Sequence, residues 1–208
     1  MPHVLIATSN PGKLRDFAGA AAPHGLEVRG LPESVRAQVV AEDGATFEAN
    51  ARRKAEHYSR LVPGEMVLAD DSGLEVDALG GAPGVDSALY ASLERGSRAN
   101  SSDAANNARL LRELQAIAGD RRTARFVCVL AAARDGRTLA TFRGQAEGRI
   151  LTAPRGSGGF GYDPLFLVPG LGKTFAELPP EEKAHHSHRG AAFRKFLEWY
   201  GGPSLRSG

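Results

Sequence analysis

Near the middle of this 208-residue chain, the stretch Met66–Tyr90 reads MVLADDSGLEVDALGGAPGVDSALY. It opens with Met66-Val67-Leu68-Ala69, a short apolar run that predicts a buried strand, so the chain has to build a sheet around it. The run then delivers two neighbouring carboxylates, Asp70 and Asp71, and is expected to break at Ser72-Gly73. Groups placed where a strand hands over to a loop are aimed by the scaffold and still reachable. Because side chains alternate across a strand, Asp70 and Asp71 should point to opposite faces, so only one of them should work in a cleft. The competing reading is a plain turn, since Asp, Ser and Gly all favour turns for local reasons.

Before that stretch, His3 to Thr8 reads as a first strand, and Ser9-Asn10-Pro11 carries helix start signals. Asn10 or Ser9 can cap, and Pro11 suits the first helical position. Leu14, Phe17, Ala18 and Ala21 form the apolar face of that helix. Strand, turn, free N–H groups of a helix N-terminus and Lys13 together make a candidate anion site, set against an ordinary connection with a solvated lysine. Val35 to Ala41 could be a strand ending at Glu42-Asp43-Gly44. A helix begins near Thr46, with Phe47, Ala51, Ala55, Tyr58 and Val62 inward. Asn50 and Lys54 are four apart and share a face of it, so Lys54 is a candidate second phosphate ligand or a solvated lysine. Glu42 and Asp43 could bind metal or simply favour the helix N-terminus.

Beyond the central stretch, Asp103 to Gly119 reads as a scaffold helix with Leu110, Leu111, Leu114 and Ile117 inward. Arg125 to Ala133 is a strand, Asp135-Gly136 marks a hairpin into Thr138 to Phe142, and Ala146 to Leu151 extends the β region. Gly156 to Gly161 spells G-x-G-x-x-G, but no long helix follows, so the dinucleotide reading fails. Phe160 within it is either a stacking surface for a base or a core residue under a loop. Gly172-Lys173-Thr174 resembles the end of a P-loop, yet Leu167 stands where that motif needs glycine. A helix starts at Pro179-Pro180-Glu181-Glu182, and Phe193, Phe196, Leu197 and Tyr200 give a later buried stripe. Arg194 and Lys195 read as surface residues. The intervening Lys183 to Arg189 is a solvated basic helix or the basic rim of a nucleotide pocket, and its histidines lack finger spacing for zinc.

The formal net charge of +2 demands no polyanionic partner such as duplex DNA, though it allows a local basic pocket. A nucleic-acid binder built on the His-Arg segment would need a much more basic domain. Cys128 is the only cysteine, which leaves no internal disulfide or multi-cysteine zinc site and suggests a small core residue. Val4 to Ala7 is too short for a signal peptide or membrane span, so a cytoplasmic location is expected. The length suits one domain, or a single unit of two lobes, over residues 1–208.

Four blocks stand in order: Ala7-Thr8-Ser9-Asn10-Pro11-Gly12-Lys13; Leu68 to Leu74 continuing through Gly80-Gly81-Ala82-Pro83-Gly84-Val85; Gly158 to Pro164; and Ser187-His188-Arg189-Gly190. In these the chain resembles the inosine triphosphate pyrophosphatase family, the dITP/XTP pyrophosphatases, over roughly Val4 to Leu197. The resemblance implies an α/β fold, a mixed sheet with flanking helices whose two lobes enclose a nucleotide cleft. It also implies Mg²⁺-dependent hydrolysis of dITP, ITP and XTP to the monophosphate and pyrophosphate, and a homodimer. By position, Thr8, Ser9, Asn10, Pro11, Gly12 and Lys13 would hold the triphosphate with Lys54 and Ser72. Glu42 and Asp71 would bind Mg²⁺, Asp71 also activating water. Phe160, Gly161, Tyr162, Asp163, Lys183, His188 and Arg189 would surround the base and sugar, with His188 or Arg189 donating to the purine carbonyl. Rival readings are a pyrophosphatase of other base preference and a nucleotide-binding module without catalysis. The chain departs from the family at Ala49, where Glu is frequent, and at Leu89, where Arg is frequent, which alters support of the phosphate site.

Overall fold

The protein is described here by a computed structural model covering residues 2–201. Among these residues seven strands form one mixed sheet in the order β2-β1-β3-β4-β5-β6-β7. They are β1 (His3–Ile6), β2 (Glu27–Gly30), β3 (Val67–Val76), β4 (Thr123–Arg134), β5 (Arg137–Ile150), β6 (Phe166–Val168) and β7 (Lys173–Thr174). β1 pairs in parallel with both β2 and β3, while β6 pairs antiparallel with β5 and β7. The helices are α1 (Pro11–Ala21), α2 (Glu33–Arg36), α3 (Phe47–Leu61), α4 (Tyr90–Leu93), α5 (Asp103–Glu113), α6 (Pro180–His186) and α7 (His188–Tyr200). No helix among the described residues is long and apolar enough to cross a membrane.

The chain divides into two compact units. Within the described residues, unit 1 takes 2–71, 128–145 and 184–201, and unit 2 takes Ser72–Val127 and Ala146–Lys183. Each has its own core. In unit 1, Val4 and Ile6 of β1, Leu68 of β3 and Leu130 of β4 pack with Phe17 of α1 and Phe193 and Phe196 of α7. Each phenylalanine removed from water there contributes about 1.5–3 kcal/mol. Cys128 lies in the same core, as expected of a small core residue. In unit 2, Leu74, Val76, Leu110, Leu114, Ile150, Phe166 and Phe175 form the second core.

Local chemistry sets the element boundaries. The Asn10 side chain caps α1 and Pro11 occupies its first turn, and Thr46, Ser102 and Ser187 cap α3, α5 and α7 through their hydroxyls. β4 turns into β5 at Asp135-Gly136, both with positive φ (50° and 78°), as a two-residue hairpin requires.

Several expectations are corrected. β3 does not break at Ser72-Gly73. It runs on to Val76, because Leu74 and Val76 are wholly buried in the unit 2 core and the Leu74 N–H donates to Ser87 Oγ at 2.9 Å. Val35 to Ala41 is not a strand: after Pro32 the chain makes the short helix α2, and Val39 is 92% exposed with no sheet neighbour to bury it. The first strand stops at Ile6, α5 stops at Glu113 rather than Gly119, and β5 is continuous where two runs were expected. Ala18 faces solvent instead of the core.

Gly144 on β5 lets α7 approach closely: a Cβ there would lie 2.1 Å from the His188 carbonyl oxygen and 2.4 Å from the Ala192 nitrogen. Gly144→Ala should therefore destabilise the protein by about 1–3 kcal/mol, the usual cost of overpacking. Urea denaturation would check this, and an unchanged midpoint would contradict the packing described.

Candidate active site

In unit 1, three cations gather on the carboxylates of β3 and its surroundings. The Lys13 Nζ lies 3.0 Å from Asp70 Oδ2, and the Arg189 Nε lies 3.7 Å from the same oxygen. Arg189 also pairs with Asp16 at 3.2 Å. Lys54 donates to the Asp70 backbone carbonyl at 2.6 Å and pairs with Glu42 at 2.7 Å. Asp70 is 1% exposed. Burial alone would push its carboxyl up, but Lys13, Arg189 and Lys54 together hold it well below the usual carboxylate range.

Asp71 has different partners, as expected of adjacent residues on a strand. Its Oδ2 accepts from Asn50 Nδ2 at 2.8 Å, and burial raises its pKa despite the opposing influence of Lys54, Asn50 and Lys13. The two carboxylates thus differ in character. Asp70 is a locked counter-charge, and Asp71 is a buried carboxylate of raised basicity. Lys54 is neither solvated nor disordered in its pairing: it is 7% exposed, and its pKa is raised, with desolvation outweighed by Asp70, Glu42 and Asp71.

The start of α1 differs from expectation. The Gly12 and Lys13 N–H groups are taken by Asn10 Oδ1 at 2.8 and 3.3 Å, and Asn10 N–H donates to Thr8 Oγ1 at 3.1 Å. Those two N–H groups, expected to be free, are already paired; what the turn supplies is Lys13. Ser9 and Pro11 lie in the same turn. At the other terminus, Ser187 caps α7 and puts His188 and Arg189, both buried, in its first turn.

In unit 2, the Asp163 carboxylate accepts the Phe160 N–H at 2.9 Å and pairs with Lys183 at 2.8 Å. The Lys183 ammonium lies 4.8 Å from the Phe160 ring centroid, and Phe160 is half-buried, neither fully exposed nor a core residue. Gly159, at φ 72°, makes room for this: a Cβ would fall 2.1 Å from Asp163 Oδ2. The Gly161 peptide is held at both ends, its N–H by Asp103 at 2.7 Å and its carbonyl by Asn107 at 3.0 Å. Tyr162 is buried with its hydroxyl donating to the Ser87 carbonyl at 2.7 Å, so its side chain supports the loop. Ser72 is the first residue of unit 2, directly after Asp71.

Sequence reasoning named Asp70 only as the neighbour of Asp71, without its cation partners, and missed Asp16 and Asn50 as members of the unit 1 cluster. Asn50 had a signal, since it shares a helix face with Lys54. Asp16 is one turn after the capping segment and carries no motif. Among the described residues no group of three or more His, Cys, Asp or Glu side chains is placed to hold a metal alone. Glu42 and Asp71 are two oxygen donors, which matches Mg²⁺, an ion that keeps waters and takes further ligands from phosphates.

A model of the Ham1 family matches residues 4–199. The chain belongs to the Ham1 family. The dITP/XTP pyrophosphatase of Geobacillus kaustophilus is 51% identical over 198 residues, covering 95% of this chain and 94% of its own. That of Thermus thermophilus is 49% identical over 197 residues, covering 95% of this chain and 91% of its own. The structure of a HAM1 protein from Coxiella burnetii is similar at TM-score 0.80 and 36% identity, covering 97% of this chain and 99% of that one. The resemblance read from the four blocks is thus borne out at the level of the Ham1 family, and so is the α/β fold with a mixed sheet and flanking helices.

Because Asp70 is held in its ionised form, its contribution to stability is complete above its ordinary pKa of 3.8 and is lost as pH falls through the lowered folded value. Asp70→Asn takes that counter-charge from the buried Arg189, which keeps Asp16, and from the partly buried Lys13, and should cost up to about 3–5 kcal/mol at neutral pH. It should also flatten the acid limb of the stability curve. Denaturation midpoints followed from pH 7 down to well below the ordinary carboxylate range would show both effects, and a parallel pH curve in the variant would contradict them.

Proposed function

We propose that this Ham1-family chain hydrolyses deaminated purine nucleoside triphosphates (dITP, ITP and XTP) to the monophosphate and pyrophosphate. The observation that carries the reading is the buried carboxylate of Asp71, raised in basicity and set among Lys13, Lys54 and Glu42, in a chain half identical to dITP/XTP pyrophosphatases. In this reading Lys13 and Lys54 move from their carboxylate partners to phosphate oxygens. Asp71 takes the proton of the attacking water as its oxygen bonds to the α-phosphorus. The bond from that phosphorus to the bridging oxygen breaks, and pyrophosphate leaves. A positioned general base of this kind typically contributes roughly 10²–10⁴-fold, and raised basicity favours it.

Charge balance supports a metal. Lys13, Lys54 and Arg189 supply three positive charges against four carboxylates, Asp16, Glu42, Asp70 and Asp71, so 3 − 4 leaves a formal −1 among these seven. A triphosphate would be repelled by that balance unless a divalent cation came with it. Glu42 and Asp71 are the residues that would hold Mg²⁺, which when bound neutralises phosphate charge and polarises phosphoryl oxygens. An assembly of two identical chains belongs to the same reading.

The unit 2 residues take the base. The Phe160 face suits stacking, and its neighbour Lys183 is a donor with no acceptor capacity. Lys183 is a buried donor suited to the carbonyl that hypoxanthine and xanthine carry; in unit 1, His188 and Arg189 are buried donors of the same kind. Adenine offers an amino group there, and leaving two donors face to face costs about 1–3 kcal/mol, roughly 5- to 150-fold in rate.

The test is pyrophosphate release with Mg²⁺ from dITP and XTP beside dATP and dGTP. Release at least tenfold faster from dITP and XTP than from dATP is expected, dGTP sharing the carbonyl and serving as the comparison for the 2-position, and Asp71→Asn should lose about 10²-fold or more of the dITP release. Equal release from dITP, XTP and dATP would contradict the base assignment, and wild-type release by Asp71→Asn would remove Asp71 from the chemistry.

A further inference from the structure

Asn50 is 2% exposed and binds at both ends of its amide. Its Nδ2 donates to Asp71 Oδ2 at 2.8 Å, and its Oδ1 accepts the Gly44 N–H at 2.8 Å. One helical turn later on α3, Lys54 repeats the pattern, joining Glu42 at 2.7 Å to the Asp70 carbonyl at 2.6 Å. The segment Glu42–Gly44 and strand β3 are therefore bridged twice by one face of α3, and the two carboxylates assigned to metal and water sit on either side of the bridge. Gly44 is fitted to it. A Cβ on Gly44 would stand 2.6 Å from Asn50 Oδ1, so a larger residue there would displace the amide from the position where both bonds close.

We propose that Asn50 is a positioning residue for the reaction: its amide fixes the Asp71 carboxylate by holding Oδ2. Gly44 sets the amide in turn. The inference rests on the reading of Asp71 as the base. Carboxylates that do chemistry are commonly oriented by such a partner, and losing it typically costs roughly 10–100-fold in activity. The donor is the essential part. An acceptor at this position could still take the Gly44 N–H, but it could not hold a carboxylate.

Asn50→Asp keeps the shape and the bond from Gly44 but replaces the donor to Asp71 by a second carboxylate, so its kcat is read together with that of Gly44→Ala, which adds no charge. Turnover of dITP, KM and the thermal midpoint would be measured with a crystal structure of the variant, and Asp71→Asn would be assayed alongside. The expected result is a kcat lowered roughly 10–100-fold, with KM within about threefold and Asp71 turned to another rotamer. A kcat within threefold of wild type, or Asp71 unmoved, overturns the proposal. If Asn50→Asp does not fold, Gly44→Ala decides: it touches neither carboxylate, and it should lower kcat by displacing the amide, whereas wild-type kcat overturns the proposal. Loss of turnover in Asp71→Asn with near-wild-type kcat in both other variants would sink this inference alone. Retained turnover in Asp71→Asn would sink the base assignment with it.

Discussion

The interaction on which unit 1 depends is the ion cluster around Asp70. A carboxylate 1% exposed is costly to bury unless its charge is met, and here Lys13 of α1 and Arg189 of α7 meet it while Lys54 of α3 takes the carbonyl of the same residue. Three helices from distant parts of the sequence are thereby tied to one position on β3. The apolar core made by Phe17, Phe193 and Phe196 brings α1 and α7 together non-specifically, and the charges fix which residues face one another. Such clusters add little net stability compared with an apolar core, and removing one member is expensive.

The neighbouring carboxylate is arranged for the opposite purpose. Asp71 keeps a raised pKa because burial outweighs its cationic neighbours, so its charged form is held at some cost to the fold. Strand alternation makes this division possible: adjacent residues on β3 point to different surroundings, one to the helix cations and one to Asn50. Asn50 and Gly44 then relate Asp71 to the segment that carries Glu42.

Much of this was legible in the sequence, for identifiable reasons. Asn10-Pro11 marked the start of α1, and Thr46 that of α3, because capping is a local interaction. The hairpin at Asp135-Gly136 was readable because its turn needs residues that tolerate positive φ. The family blocks brought Lys13, Asp71, Phe160, Asp163, His188 and Arg189 into view. What sequence did not show were the pairings made at long range. Nothing local says that Arg189 meets Asp16 and Asp70, that Asn50 meets Asp71, or that Asn107 on α5 holds the Gly161 carbonyl. The break expected at Ser72-Gly73 failed for the same reason, since the turn preference of those residues yields to the burial of Leu74 and Val76. At Val35 to Ala41 the expected strand fails the other way, since Val39 is exposed and the chain there forms α2 and a loop.

The central claim is that two adjacent aspartates divide the work, Asp70 holding the fold and Asp71 held against its preference for the chemistry. A carboxyl whose pKa is raised in the folded protein is less stable charged there than in the unfolded chain, so neutralising it should not weaken the fold at neutral pH. The most direct test is the thermal midpoint of Asp71→Asn at pH 7 without nucleotide or metal. The account predicts a midpoint equal to or above that of the wild type. A fall of several degrees would mean that the Asp71 carboxylate is itself a support of the fold, and would contradict the division of roles.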